Sequence, residues 1–202
     1  MKKEEKTELT KEKIITAAIE EFGTKGYTES SLNNICSNFK ISKGLIYHNF
    51  KNKDEIYLAC IRKCILEVTE YLSNQNVEGD LHRYMELRFD FFSRHPLYAR
   101  LFFEAVLQPP PKFVNEIKEM KKDLDELNKK IYKSALRNLT LRNGVTEKDA
   151  LEYYELMQEM FNGHFSSSAY ANTEFQMIIC DHEQKLKKIL NFILYGIAKE
   201  NE

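Results

Sequence analysis

The sequence is poor in the residues that punctuate sheets and staple small domains. Among 202 residues there are seven glycines, four prolines, four cysteines and no tryptophan, and no proline precedes Pro96. Strand-rich folds need frequent Gly and Pro turns, so this scarcity points to an all-α chain. Four cysteines are too few for a disulfide framework, and a chain that is not exported keeps them as thiols. No apolar run reaches the roughly 18 residues of a membrane span, and Met1-Lys2-Lys3-Glu4-Glu5-Lys6 lacks the apolar stretch of a signal peptide. The expectation is a cytoplasmic protein with no membrane partner.

Seats for chemistry are missing too. There is no Gly-x-Gly-x-x-Gly, Walker loop or Gly-x-Ser-x-Gly elbow. None of the five histidines (48, 82, 95, 164 and 182) has Glu three residues earlier, so a di-iron bundle has no ligand set. Cys60 and Cys64 stand one helical turn apart without a third ligand nearby, and Cys180 with His182 fares no better. His95 and His164 are lone residues. These gaps predict no enzyme, no metal and no cofactor.

What is present is an ordinary globular composition, 43% hydrophobic and 30% charged, with a net charge of −1. The distribution is uneven. Residues 1–65 carry 12 Lys+Arg against 9 Asp+Glu, and between Glu29 and Asp54 stand Lys40, Lys43, Lys51 and Lys53 with no acid at all. A merely solvated face would mix signs, whereas a phosphate-facing one would not.

Apolar spacing predicts about nine helices. Thr10 reads as the N-cap of the first, with Ile14, Ile15, Ala18, Ile19 and Phe22 on one face, and Gly26 closes it with Tyr27 against Phe22. Ser30 or Ser31 caps a short second helix with Leu32, Ile35, Cys36 and Phe39. Ser42 caps a third, with Ile41 and Ile46 as its hydrophobic staple, and Asn52 with Glu55 opens a fourth through Leu72. The polar gap at Asn74–Gly79 follows. Leu81, Tyr84, Leu87 and Phe91 form the next stripe, Pro96 interrupts, and Pro109-Pro110-Pro111 ends the following one. Phe113 to Ile131 then makes a seam expected to be the longest helix, ending near Asn143-Gly144. Thr146 with Asp149 caps a helix bearing Tyr153, Met157, Phe161 and Phe165, and the last carries Ile179, Leu186, Ile189, Ile193 and Ile197.

Two short helices joined by a turn of about three residues, the second opening on Ser42, Lys43 and Gly44, form a helix-turn-helix pattern. The major groove admits one helix whose start is slim and rich in donors, while the preceding helix braces it. The lysines alone would serve equally to solubilise a helical hairpin.

Residues Ser30-Ser31-Leu32-Asn33-Asn34-Ile35-Cys36 and the stretch from Ile41-Ser42-Lys43-Gly44-Leu45-Ile46-Tyr47-His48-Asn49-Phe50 to Lys51-Asn52-Lys53-Asp54-Glu55 resemble the TetR-type bacterial transcriptional regulators. The resemblance spans about residues 8–68. It implies an N-terminal three-helix DNA-binding domain over 8–68 and a helical effector-binding and dimerisation domain over 69–202. It also implies DNA-facing positions at Ser31, Ser42, Lys43, Gly44, Leu45, Tyr47, His48, Lys51 and Lys53. Their chemistry suits that role: Tyr47 offers a hydroxyl to a phosphate, Lys53 a cation at a helix start, and Lys43 reaches a phosphate or a guanine edge. Phe50 reads instead as the residue that locks the reading helix to its neighbours. The chain departs from the family at Phe39-Lys40, where a small residue and Gly are usual, and a left-handed Lys costs about 1 kcal/mol.

Residues 84–103 hold seven aromatics. Such rings line effector cavities and also fill ordinary cores. The first reading makes Tyr84, Arg88, Phe91, Phe92, Tyr98, Phe102 and Phe103 the effector-binding residues, for a largely apolar ligand. The resemblance implies a homodimer on a double-stranded operator, a repressor released by a small-molecule effector. The alternative is a helical ligand-binding or scaffolding protein whose helix-turn-helix does not read DNA.

Overall fold

The computed structural model describes residues 3–170 and 172–196. Among them are nine α-helices, two short 3-10 turns and no strand. The helices are α1 (Lys3–Glu29), α2 (Leu32–Phe39), α3 (Lys43–Asn49), α4 (Lys53–Ser73), α5 (Leu81–Arg94), α6 (Pro96–Leu107), α7 (Val114–Leu136), α8 (Glu147–Phe165) and α9 (Phe175–Tyr195). The described residues form two compact units, one within 3–67 and 92–120 and the other within 68–91, 121–170 and 172–196.

In the first unit α1 buries Ile14, Ala17, Ala18, Ile19 and Phe22. It packs most extensively on α6, whose Ala99, Leu101, Phe102, Phe103, Ala105 and Leu107 are buried. Gly23 permits that approach: a Cβ there would stand 2.7 Å from Leu97 Cβ and 2.9 Å from its carbonyl oxygen. Thr10 is not the N-cap. α1 begins a full seven residues upstream, at Lys3, and the Thr10 hydroxyl donates 2.8 Å back to the Lys6 carbonyl as a mid-helix threonine does.

Gly26, at φ +77°, breaks the helical path where closure was expected, and Tyr27 stacks on Phe22 with ring centroids 6.4 Å apart. The break is fastened by Ser30, whose hydroxyl lies 2.6 Å from the Gly26 carbonyl. Glu21, buried, then ties α1 to the start of α2: its carboxylate accepts from Lys25, from the Ser31 N–H at 3.2 Å and from Asn34 Nδ2 at 2.8 Å. Burial alone would raise its pKa, but these bonds lower it.

The second unit contains the end of α4, α5 as far as Phe91, the later part of α7, α8 and α9. Thr146 and Asp149 form the expected capping box of α8. Two register expectations fail. Tyr154, not Tyr153, enters the core, stacked on Tyr132 at 4.1 Å, while Tyr153 is 67% exposed. On α9 the buried positions are Ile178, Ile179, His182, Glu183, Leu186 and Leu190, and Ile193 is exposed. Ile197 lies outside the described residues. α7 stops at Leu136 rather than near Asn143, and at 23 residues it is shorter than the 27 of α1.

Candidate nucleic-acid interface

The turn before α3 is built from local backbone chemistry. Lys40 adopts the left-handed conformation, φ 54° and ψ 42°, which lets its N–H and that of Ile41 both reach the Cys36 carbonyl and end α2. Ser31 caps α2 by accepting from the Asn34 N–H at 3.1 Å, and Ser42 caps α3 by accepting from the Leu45 N–H at 3.2 Å. Ile41, Ile46 and Phe50 are buried and hold α3 to the unit; Phe50 is a clamp. Glu55 closes the start of α4 from a position other than the usual one. Its N–H donates to Asn52 Oδ1 at 2.9 Å, while its carboxylate takes the N–H of Lys51 at 2.6 Å rather than that of Asn52.

With one face fixed inward, α3 turns Lys43, Gly44, Leu45, Tyr47 and His48 to solvent, and Ser42 and Lys51 flank it, also exposed. Tyr47 is 58% exposed, and nothing in the chain lies within 4 Å of where a Gly44 Cβ would be. Internal packing therefore explains neither the ring outside nor the missing side chain. Both suit a surface that another molecule approaches. Ser31 is half-buried and its oxygen is engaged in the cap.

Lys53, the first residue of α4, lies half-buried with its ammonium 4.3 Å from the Tyr27 ring centroid. Burial pushes its pKa down, and Asp54 opposes that. Of the acids that follow the lysine run, Glu55 is exposed with its carboxylate on the Lys51 N–H, and Asp54 is half-buried. Asp54 accepts from the Tyr27 hydroxyl and from Lys112, which hold its pKa below the usual carboxylate range. The outer face from Lys40 to Lys53 thus carries cations, hydroxyls and amides, an arrangement for holding phosphates rather than for making or breaking bonds.

Residues 14–60 match the family described as bacterial regulatory proteins, tetR family. Over this segment the chain is similar to that family. Over 132 residues it is 28% identical to the IcaR negative transcriptional regulator of the biofilm operon icaADBC from Staphylococcus epidermidis, covering 63% of this chain and 68% of the relative. The IcaR of Staphylococcus aureus strain Newman is 28% identical over 149 residues, 65% of this chain and 78% of its own. Among solved structures, FadR of Bacillus subtilis in complex with stearoyl-CoA superposes with a TM-score of 0.61 at 17% identity, covering 92% of this chain and 98% of that one. A TetR regulatory protein of Rhodobacter sphaeroides gives 0.62 at 17% identity, over 90% and 97%. The matched segment contains all nine residues expected to face DNA.

The seven residues expected to bind an effector are divided between the two units. Phe92, Phe102 and Phe103 pack on one another in the first unit, with ring centroids 4.9–5.2 Å apart. Tyr98, in the same unit, donates to Glu67 at 2.9 Å. In the second unit Tyr84 donates to Asn128 at 2.6 Å, Phe91 packs on Tyr71, and Arg88 is spent on Glu183. None of the seven lines the depressions of about 1140 and 850 Å³ at the ends of α7 and α9. Sequence reading missed the Glu21 tie to Ser31 and Asn34, 10 and 13 residues away across the break at Gly26, and the Lys112–Asp54 pair, 58 residues apart.

Proposed function

We propose that this protein is a cytoplasmic homodimeric repressor of transcription that binds a pseudo-palindromic operator through α3 and leaves it when a small, largely apolar effector binds. It acts by binding and has no catalytic step. The observation that carries the reading is the outer face of α3, where an exposed Tyr47, an unfilled Gly44 and exposed lysines stand together with no acid between Glu29 and Asp54. Repression is supported by the IcaR relatives, which are negative regulators, and an effector by the FadR neighbour solved with stearoyl-CoA.

Dimerisation is supported by the surface of α8 and α9. Tyr153, Leu156, Met160 and Ile193 are exposed there and, with Met157, Phe161, His164 and Ile189, line an almost wholly apolar groove of about 470 Å³. Terminal helices with unspent apolar faces are commonly buried against a symmetry mate. The test is titration of fluorescent duplexes, one from the DNA upstream of its own gene and one of random sequence. Lys43→Ala should weaken binding to both, and Tyr47→Ala should weaken the specific complex. Full affinity in both variants would contradict the reading.

A further inference from the structure

We propose that Lys112, in the 3-10 turn Pro111–Phe113 after α6, is a phosphate-contacting residue of the DNA interface, extending it beyond the segment that matches the family. The inference rests on the DNA-binding reading above. Lys112 is 58 residues from Asp54 in sequence, yet in the fold the two form an ion pair. Its ammonium also stands 5.1 Å from the Tyr27 ring centroid, and that of Lys53 stands 4.3 Å from the same ring. Two cations are therefore held on one tyrosine, beside the opening turn of the 21-residue α4, where the unpaired N–H groups and the helix dipole already favour an anion.

Charges of both signs surround Tyr27. Asp54 is paired with Lys112 and acts on Lys53, which Glu104 and Glu21 also face. Glu104 is partly buried, accepts from the Tyr27 N–H at 2.9 Å and has its pKa raised by burial, so it is a weak second counter-charge. The Tyr27 hydroxyl donates to Asp54. Like charges held this close repel, and Lys112 is among the groups that lower the pKa of Lys53. A phosphate at the start of α4 gives Lys53 and Lys112 a further anion to share. The Lys112 side chain is 51% exposed, so it can turn to that phosphate while Asp54 keeps its bond to Tyr27.

The arrangement also continues a line already on the reader. Lys43, Lys51 and Lys53 lead from α3 to the start of α4, and Lys112 joins them from a distant part of the chain. The turn that carries it is fixed by Phe113, which is buried against Tyr27 and Tyr57 with ring centroids 5.4 and 5.7 Å away.

The experiment measures affinity for a random-sequence duplex as a function of salt for the wild-type dimer, Lys112→Ala, Lys112→Arg and Lys43→Ala, with melting curves for each. Every phosphate contact contributes about 0.9 to the log–log salt slope, so Lys112→Ala should flatten the slope of a dimer by about 1.8 while Lys112→Arg keeps it. Lys112→Gln, which retains the aliphatic stem, replaces the alanine variant if that one melts early. An unchanged slope in Lys112→Ala beside a flattened one in Lys43→Ala overturns this proposal and leaves DNA reading intact. Weaker affinity with an unchanged slope overturns it too, since it assigns Lys112 to folding alone. A wild-type protein that binds no duplex overturns both.

Discussion

Arg88 carries a full charge into a helical core, which is affordable only because every polar atom around it is answered. Its Nη2 lies 2.7 Å from Glu183 Oε1 and its Nε 3.1 Å from Oε2, a bidentate pair between α5 and α9. Burial would raise the Glu183 carboxyl, but Arg88 and the His182 bond at 3.1 Å hold it at about 2. Removing one partner strands the other, so Glu183→Gln should cost about 3–5 kcal/mol in urea unfolding, whereas Arg88→Met with Glu183→Leu should cost far less. A loss under about 1 kcal/mol in Glu183→Gln would show the pair to be solvated.

His182 adds a pH dependence at the same place. It is buried between Phe161 and Phe165, each ring centroid 4.9 Å away, with Asn162 at 3.1 Å from Nε2. The charged groups facing it are Glu183, Arg88 and Asp181; burial, with Arg88 acting the same way, outweighs the two carboxylates and lowers its pKa. A lowered histidine is neutral in both states at neutral pH and binds a proton first when unfolded. Stability is therefore lost as pH falls through about 6.5, the unfolded value. Glu183 works in the same direction further down, its contribution being lost from the ordinary carboxylate range toward about 2. Unfolding free energies of wild type and His182→Gln between pH 7.5 and 5.5 check this, with a flatter profile expected in the variant. Parallel profiles would rule out His182 as the source.

At the scale of elements, the caps were legible and the registers less so. Ser31, Ser42 and Thr146 cap the helices expected of them because an N-cap is a contact between residues three apart and needs nothing distant. Thr10 misled because the same side chain bonds the carbonyl four residues back with equal ease inside a helix. Tyr153 misled because a strict four-residue step drifts by about 40° each time on a helix of 3.6 residues per turn. Tyr154, Met157, Phe161 and Phe165 keep one face. The end of α7 was overrun because Leu139 and Leu141 continue an apolar pattern through residues that the chain uses as a loop. The exposed side of α3 was legible since it is local, whereas the Lys112–Asp54 pair joins residues 58 apart. The aromatics divide where the boundary between the units crosses α5 between Phe91 and Phe92, and composition does not carry that. The left-handed Lys40 gives a direct check of the turn: Lys40→Gly should raise stability by up to about 1 kcal/mol by removing the Cβ strain. A destabilised Lys40→Gly would mean that the turn gains more from the lysine side chain than it loses in strain.

At the scale of the whole molecule, a reader with one short recognition helix needs a second copy to hold a specific site, and the apolar groove of α8 and α9 is where that copy is expected to sit. A charge there should be expensive: Met160→Asp, at a position 69% exposed in the single chain, should leave the fold intact and yield monomers by sedimentation at micromolar concentration. A variant that remains dimeric would place the interface elsewhere.

The central claim is that α3 reads DNA, and salt is its most direct probe. The purified protein is titrated with the duplex from upstream of its own gene and with a random duplex at a series of salt concentrations. The account predicts tighter binding to the first, with log affinity falling linearly against log salt for both and a slope of several units, since each neutralised phosphate contributes about 0.9. Equal, weak and salt-independent association with both duplexes would contradict it.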